Sequence, residues 1–134
     1  MIIDASSTYI VIKSKELRSL RDSSTLDLAF YEIGNAILQE ERIGIIDAKA
    51  SLALSEVVQS LPEIMHVTPF QSLNAEKVHG VAEKLGLTFY DAAYISDARN
   101  CNEPLVTDDG KLAKAASKIG VRTYSAADYL KSQS

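Results

Sequence analysis

Apolar positions in this chain alternate between short unbroken runs and longer stretches in which they recur every three or four residues. Unbroken runs rich in β-type residues read as buried strands, and the wider spacing reads as one face of a helix. Met1-Ile2-Ile3 is a run of the first kind, stopped by Asp4. Ala5-Ser6-Ser7-Thr8 then offers helix-capping residues before Tyr9, Ile10 and Ile12. After a polar stretch from Lys13 to Ser24, the spacing of Leu26, Phe30, Ile33, Ile37 and Leu38 predicts a helix over 26–38. Asp47 is placed to cap the next helix, through Leu52, Leu54, Val57, Val58 and Leu61, and Pro62 halts it because proline cannot continue the ladder. A short strand is predicted over 64–67, a helix over 69–85 closed by Gly86, and a further helix over 91–99. Leu105-Val106-Thr107 reads as a strand, Gly110 to Ile119 as a helix ended by Gly120, and Val121 to Tyr124 as a last strand before a short helix ending near Leu130.

Strands separated by helices of about ten residues need crossover connections, so the pattern predicts an α/β fold with a parallel sheet covered on both faces. At 134 residues and 46% hydrophobic composition the chain suits one domain over 1–134. No repeat, low-complexity tract or linker divides it.

Composition narrows the chemistry. No apolar run approaches the roughly 18 residues of a membrane span, and the first residues lack the character of a signal peptide, so a cytoplasmic protein without membrane contact is expected. Cys101 is the single cysteine, which removes internal disulfides and Cys-based zinc sites and suits a reducing compartment. The net charge of −4 means that any nucleic-acid contact must use a local basic patch.

Four acids stand out. Asp4 and Asp109 directly follow apolar β-type runs, and ligand sites in parallel sheets lie beyond the carboxyl ends of strands. Glu32 and Asp91 sit within apolar helical stretches, with no Lys or Arg within four residues of either. An inward carboxylate is costly unless it is paired, hydrogen-bonded or bound to metal. A shared Mg²⁺ or Mn²⁺ ion answers that cost with hard oxygen ligands, whereas His66 and His79 lie in no ligand-like spacing. Each acid also has a plainer reading: Asp4 and Asp91 as helix N-caps, Glu32 as a partly exposed helix residue, and Asp108-Asp109 as a turn before Gly110.

Ile2-Ile3-Asp4-Ala5-Ser6, Tyr31-Glu32-Ile33-Gly34-Asn35-Ala36, Tyr90-Asp91-Ala92-Ala93-Tyr94 and Leu105-Val106-Thr107-Asp108-Asp109 occur in this order and spacing over essentially the full length. In this the chain resembles the PIN-domain ribonucleases, most of all the toxins of VapBC-type toxin–antitoxin pairs. The resemblance implies a three-layer α/β/α sandwich around a central parallel sheet. It implies Asp4, Glu32, Asp91 and Asp109 as the catalytic and metal-ligating acids, with Ser6 and Thr107 holding the site through their hydroxyl groups. Asn35 and Asp108 stand beside these motifs as supporting residues, and Asp108 is the alternative to Asp109 should the motif slip by one position. An endoribonuclease acting on RNA is implied, with Mg²⁺ or Mn²⁺ as cofactor, a cognate antitoxin as partner, and a homodimer as the assembly.

Lys111, Lys114 and Lys118 recur at spacings of three and four, so they share one face of the helix that follows Asp109. A phosphate backbone could run along them, and a solvated lysine face opposite a core face is the alternative. Other functions of the same fold class stay open: a PIN nuclease of RNA processing without a toxin role, or a Mg²⁺-binding signalling module without nuclease activity. The signalling module fits less well, since it wants paired acids after the first strand and Asp4 stands alone.

Overall fold

In the computed structural model, which describes residues 1–133, five short strands form one all-parallel sheet in the order β3-β2-β1-β4-β5. The strands are β1 (Ile2–Ile3), β2 (Ser24–Leu26), β3 (His66–Thr68), β4 (Leu105–Val106) and β5 (Thr123–Tyr124). The helices are α1 (Ala5–Lys13), α2 (Leu28–Arg42), α3 (Ala48–Ser60), α4 (Ala75–Leu85), α5 (Phe89–Cys101), α6 (Gly110–Lys118) and α7 (Ala126–Ser132).

Successive strand residues point to opposite faces of a sheet, and here this divides the interior into two cores. Ile2 and Leu105 face a core completed by Val78 of α4, Ala92 and Ile95 of α5, and Leu112 and Ala116 of α6. Ile3 and Val106 face the other, completed by Tyr9 and Val11 of α1, Ile33 and Ile37 of α2, and Tyr129 of α7. The result is the expected α/β/α sandwich. Burial of each large aliphatic side chain contributes about 1.5–3 kcal/mol, so strands of two or three residues suffice when both faces are covered.

The strands predicted over 64–67 and 121–124 are His66–Thr68 and Thr123–Tyr124, and two further stretches differ in kind from the sequence pattern. Ser24–Leu26 is a strand rather than polar chain running into a helix, and α2 starts at Leu28. Its residues carry little apolar signal, yet Leu26 is 1% exposed and the Thr25 hydroxyl donates to the Ile3 carbonyl at 2.7 Å. The 69–85 segment is a short 3₁₀ turn over Phe70–Ser72 followed by α4, which Asn74 caps by accepting from the Lys77 amide at 3.1 Å. Gly86 closes α4 at φ +66, a left-handed conformation that glycine adopts without steric cost.

Candidate active site

The chain leaves β1 toward β2 and β3 on one side of the sheet and reaches β4 and β5 on the other, so the order switches between β1 and β4. Crevices at such switch points, beyond the carboxyl ends of the strands, are where parallel sheets bind ligands. Asp4 follows β1 there, and Thr107, Asp108 and Asp109 follow β4. The two ends are tied by the Asp4 amide, which donates to the Val106 carbonyl at 3.1 Å.

Asp4 is 5% exposed and caps α1, its Oδ1 accepting from the Ser7 amide at 2.9 Å. Asp109 is exposed and caps α6, its Oδ1 accepting from the Lys111 and Leu112 amides at 2.9 and 3.2 Å. Asp109 Oδ2 makes no hydrogen bond among the described residues, so capping and ligand binding are compatible there. The Thr107 hydroxyl accepts from the Asp109 amide at 3.1 Å and fixes the turn. Asp108 is occupied differently: its Oδ1 accepts from the Ala126 amide at 2.9 Å, joining the end of β4 to the start of α7.

The other two acids come from helices. Tyr94 of α5 donates its hydroxyl to Glu32 Oε1 of α2 at 2.8 Å. Asp91 lies in the first turn of α5 and is not its cap, since Thr88 accepts from the Asp91 amide at 3.1 Å. Its carboxylate is therefore not committed to the helix end.

The four acids sense one another. Burial raises the Asp4 carboxyl above its ordinary range, Thr107 and Ser7 pull it down, and the Asp108 charge adds to the rise. Glu32 is raised by burial, steadied by Tyr94, and raised further by the charges of Asp91 and Asp4. Asp91 is raised by burial and by Asp109, and lowered by Lys111. Like charges gathered in partly dry surroundings disfavour the ionised state, and a cation relieves that strain. Among the described residues no three Asp, Glu, His or Cys side chains close a metal cage by themselves. Mg²⁺ needs none, because it takes one or two carboxylates directly and keeps several waters. An all-carboxylate set under mutual repulsion fits that ion.

The remaining predicted residues fall at different distances from this cluster. Lys111 is near enough to Asp91 for its charge to lower that carboxyl, whereas Lys114 and Lys118 are exposed further along α6. Ser6 is exposed and shares a cleft of about 330 Å³ with Glu32, and its hydroxyl makes no hydrogen bond among the described residues. Ser7 supplies the polar contact to Asp4 instead. Asn35 is exposed one turn beyond Glu32 and is likewise unbonded. Tyr94 is the residue that sequence reasoning passed over, since a tyrosine in an apolar helix reads as core. Its signal is the spacing of three from Asp91, which puts both on one side of α5.

A relative from Pyrobaculum aerophilum named exonuclease VapC9 is 36% identical over 126 residues, spanning 91% of this chain and 90% of its own. The chain belongs to the VapC family. A second VapC-family relative from the same organism, named ribonuclease VapC3, is 29% identical over 133 residues, spanning 85% of this chain and 92% of its own. Among solved structures, the crystal structure of PAE2754 from Pyrobaculum aerophilum superposes with a TM-score of 0.82 at 25% identity, over 98% of this chain and 93% of that one. A PilT N-terminus domain protein, SSO1118 from Sulfolobus solfataricus P2, shares the fold with a TM-score of 0.51 at 16% identity, over 98% and 91%. No model of a known protein family matches this VapC-family chain.

Proposed function

We propose that this VapC-family chain is a metal-dependent ribonuclease that hydrolyses phosphodiester bonds within RNA, acting as the toxin of a toxin–antitoxin pair. The observation that carries the reading is the gathering of Asp4, Glu32, Asp91 and Asp109 at the switch point, each within electrostatic reach of another. Nuclease names borne by two full-length relatives support the reaction class.

Asp4, Glu32, Asp91 and Asp109 are the residues that would hold Mg²⁺ or Mn²⁺, one or two of them directly and the others through its waters, with Asp108 beside them. A bound ion of this kind supplies charge neutralisation and a more acidic water for phosphodiester hydrolysis. The protein's own groups supply the rest. Glu32 Oε1 is held by Tyr94, which leaves Oε2 to take a proton from the attacking water, and the burial that raises its carboxyl makes the ionised form a stronger base. The water oxygen bonds to phosphorus, the bond from phosphorus to the leaving sugar oxygen breaks, and that oxygen takes a proton from solvent water, while Glu32 later returns its own proton to solvent. Lys111 faces the acids from the first turn of α6, where its charge and the helix N-terminus favour the phosphate.

The partners proposed are RNA, a cognate antitoxin and a second copy of the chain. An apolar rim supports a protein partner at this face: Tyr31, Phe70, Phe89 and Tyr90 are all exposed around a cleft of about 290 Å³, and two of them directly precede Glu32 and Asp91. None of the described helices is long and apolar enough to cross a membrane.

The test is cleavage of linear and circular RNA with Mg²⁺, with Mn²⁺ and with a chelator, for the wild type and for Asp4→Asn, Glu32→Gln, Asp91→Asn and Asp109→Asn. Metal-dependent cutting of both substrates that the four variants lose is expected. Cutting of linear RNA alone would replace internal cleavage by cleavage from an end. Undiminished cutting by the folded variants would remove the site assignment.

A further inference from the structure

Away from the acids, α4 and α5 enclose a cleft of about 540 Å³ lined by Lys77, Gly80, Val81, Lys84, Leu85, Ser96, Arg99, Asn100 and Ile119. That volume lies within the range of clefts that hold small organic ligands. Three cations and no acid line it, in a chain whose net charge is −4. Lys77, Lys84 and Arg99 are exposed, and the ion pairs among the described residues leave all three without an acidic partner. Cations of one sign that converge unpaired on a concave surface focus a positive potential into it.

The polar groups add direction. Ser96 Oγ is buried and has no hydrogen-bond partner among the described residues. A buried hydroxyl left unsatisfied is costly, and a turn of the Ser96 side chain toward the cleft would give it a ligand atom as partner. Asn100 follows on the next turn of α5 with both a donor and an acceptor. Val81, Leu85 and Ile119 give the same cleft an apolar side. Charge on one side and apolar surface on the other match a molecule that is itself divided into a phosphate end and a flat, weakly polar body.

We propose that this cleft is a nucleotide-binding site, with the phosphate held by Lys77, Lys84 and Arg99, the sugar or base edge by Ser96 and Asn100, and the base against Val81, Leu85 and Ile119. It is separate from the acid cluster. Ser96 lies about 140° around α5 from Asp91, and Arg99 stands about 12 Å further along the axis. The inference does not depend on the nuclease reading, since it concerns binding without cleavage. A free nucleotide and one nucleotide unit of an RNA strand present the same chemistry to these residues.

The experiment is an amide-resolved NMR titration of the full chain, with a chelator present, using adenosine monophosphate and then a ten-residue uridine oligonucleotide. With adenosine monophosphate, shifts at Gly80, Lys84, Ser96, Arg99 and Asn100 are expected, whether or not the oligonucleotide also shifts the amides around Lys111. The Lys84→Glu/Arg99→Glu double variant changes two exposed side chains, and a weakening of tenfold or more is expected for it. Ser96→Ala should weaken binding less, and Lys49→Glu, a charge reversal at an exposed position of α3, should leave it unchanged. Displacement of adenosine monophosphate by the oligonucleotide assigns the site to an RNA strand, and binding without displacement assigns it to a free nucleotide. No shift at these amides with either ligand at millimolar concentration, or equal shifts in the folded charge-reversed variant, would overturn the proposal.

Discussion

The Tyr94 hydroxyl donates to Glu32 Oε1 at 2.8 Å, joining α5 to α2 across 62 positions of sequence. Both partners are raised by burial, and Tyr94 is raised further by the Glu32 charge, so the proton stays on the phenol and the bond keeps its direction. Glu32 is thereby oriented by a group that needs no contact with substrate.

Tyr94→Phe removes this bond while keeping the ring in the core. A loss of about 1–2 kcal/mol is expected, toward the low end for a charged acceptor because Glu32 is only half-buried. Groups that orient ligand-bearing side chains typically cost roughly 10–100-fold when removed, and the lower end is expected here in kcat. Urea unfolding and steady-state cleavage check the two numbers. A variant that loses stability without losing rate would reduce Tyr94 to a packing role.

Asp108 and Asp109 should separate cleanly. Asn caps a helix as well as Asp, so Asp109→Asn keeps the α6 cap and should abolish cleavage at nearly unchanged stability. Asp108→Asn keeps an oxygen for the Ala126 amide and should retain most of the activity. The reverse order of activities would move the ligand by one residue.

Metal binding should show itself without any turnover. Mn²⁺ at about a hundredfold excess over its Kd stabilises a folded protein by roughly 2.7 kcal/mol. For this chain that is expected as a rise of several degrees in Tm. Asp4→Asn, which removes one repelling charge from a buried position, should be at least as stable as the wild type without metal and should lose the Mn²⁺ increment. Thermal melts with and without the ion decide, and an equal Mn²⁺ increment in the variant would exclude Asp4 as a ligand.

A pH effect is expected from outside the site. Asp97 of α5 is 2% exposed, its Oδ1 accepts from Cys101 Sγ at 3.7 Å, and its Oδ2 is near enough to Thr68 to feel it but makes no hydrogen bond within 3.5 Å among the described residues. Burial raises its carboxyl above the ordinary value of 3.8, against a smaller downward pull from Thr68 and Cys101. Between its unfolded and folded values the folded chain holds more of this proton than the unfolded chain does. Its contribution to stability is fully present below the unfolded value and is lost as pH rises through the folded one. Asp97→Asn cannot ionise, so its stability relative to the wild type should grow between pH 4 and pH 7. A difference that stays constant across that range in urea unfolding would contradict this.

The sequence made the outer parts of the site readable through position. Asp4 and Asp109 follow β-type runs, and strand ends are where a parallel sheet opens. Of the two readings of Asp4, the cap is seen directly in its bond from the Ser7 amide, and it does not exclude the other. Asp91 was harder to place, because a helix start is ambiguous by one turn until Thr88 is seen to accept the Asp91 amide. The β2 strand was hidden, since Ser24 and Thr25 owe their place to neighbouring strands and to the Ile3 carbonyl rather than to apolar character. Tyr94 and the α4–α5 cleft were invisible for a related reason: each depends on which faces of two helices meet.

The strand order has a consequence for synthesis. β1 is made well before one of its two neighbours, β4, which begins only at Leu105, and Asp109 comes later still. A nascent chain must carry Asp4, Glu32 and Asp91 through most of translation with the middle of its sheet half-paired. A product truncated by a stalled ribosome or a premature stop before this point has neither the scaffold nor the full set of acids. Hydrolytic capacity should thus arrive late and all at once, leaving incomplete copies harmless to the RNA on which they are being made.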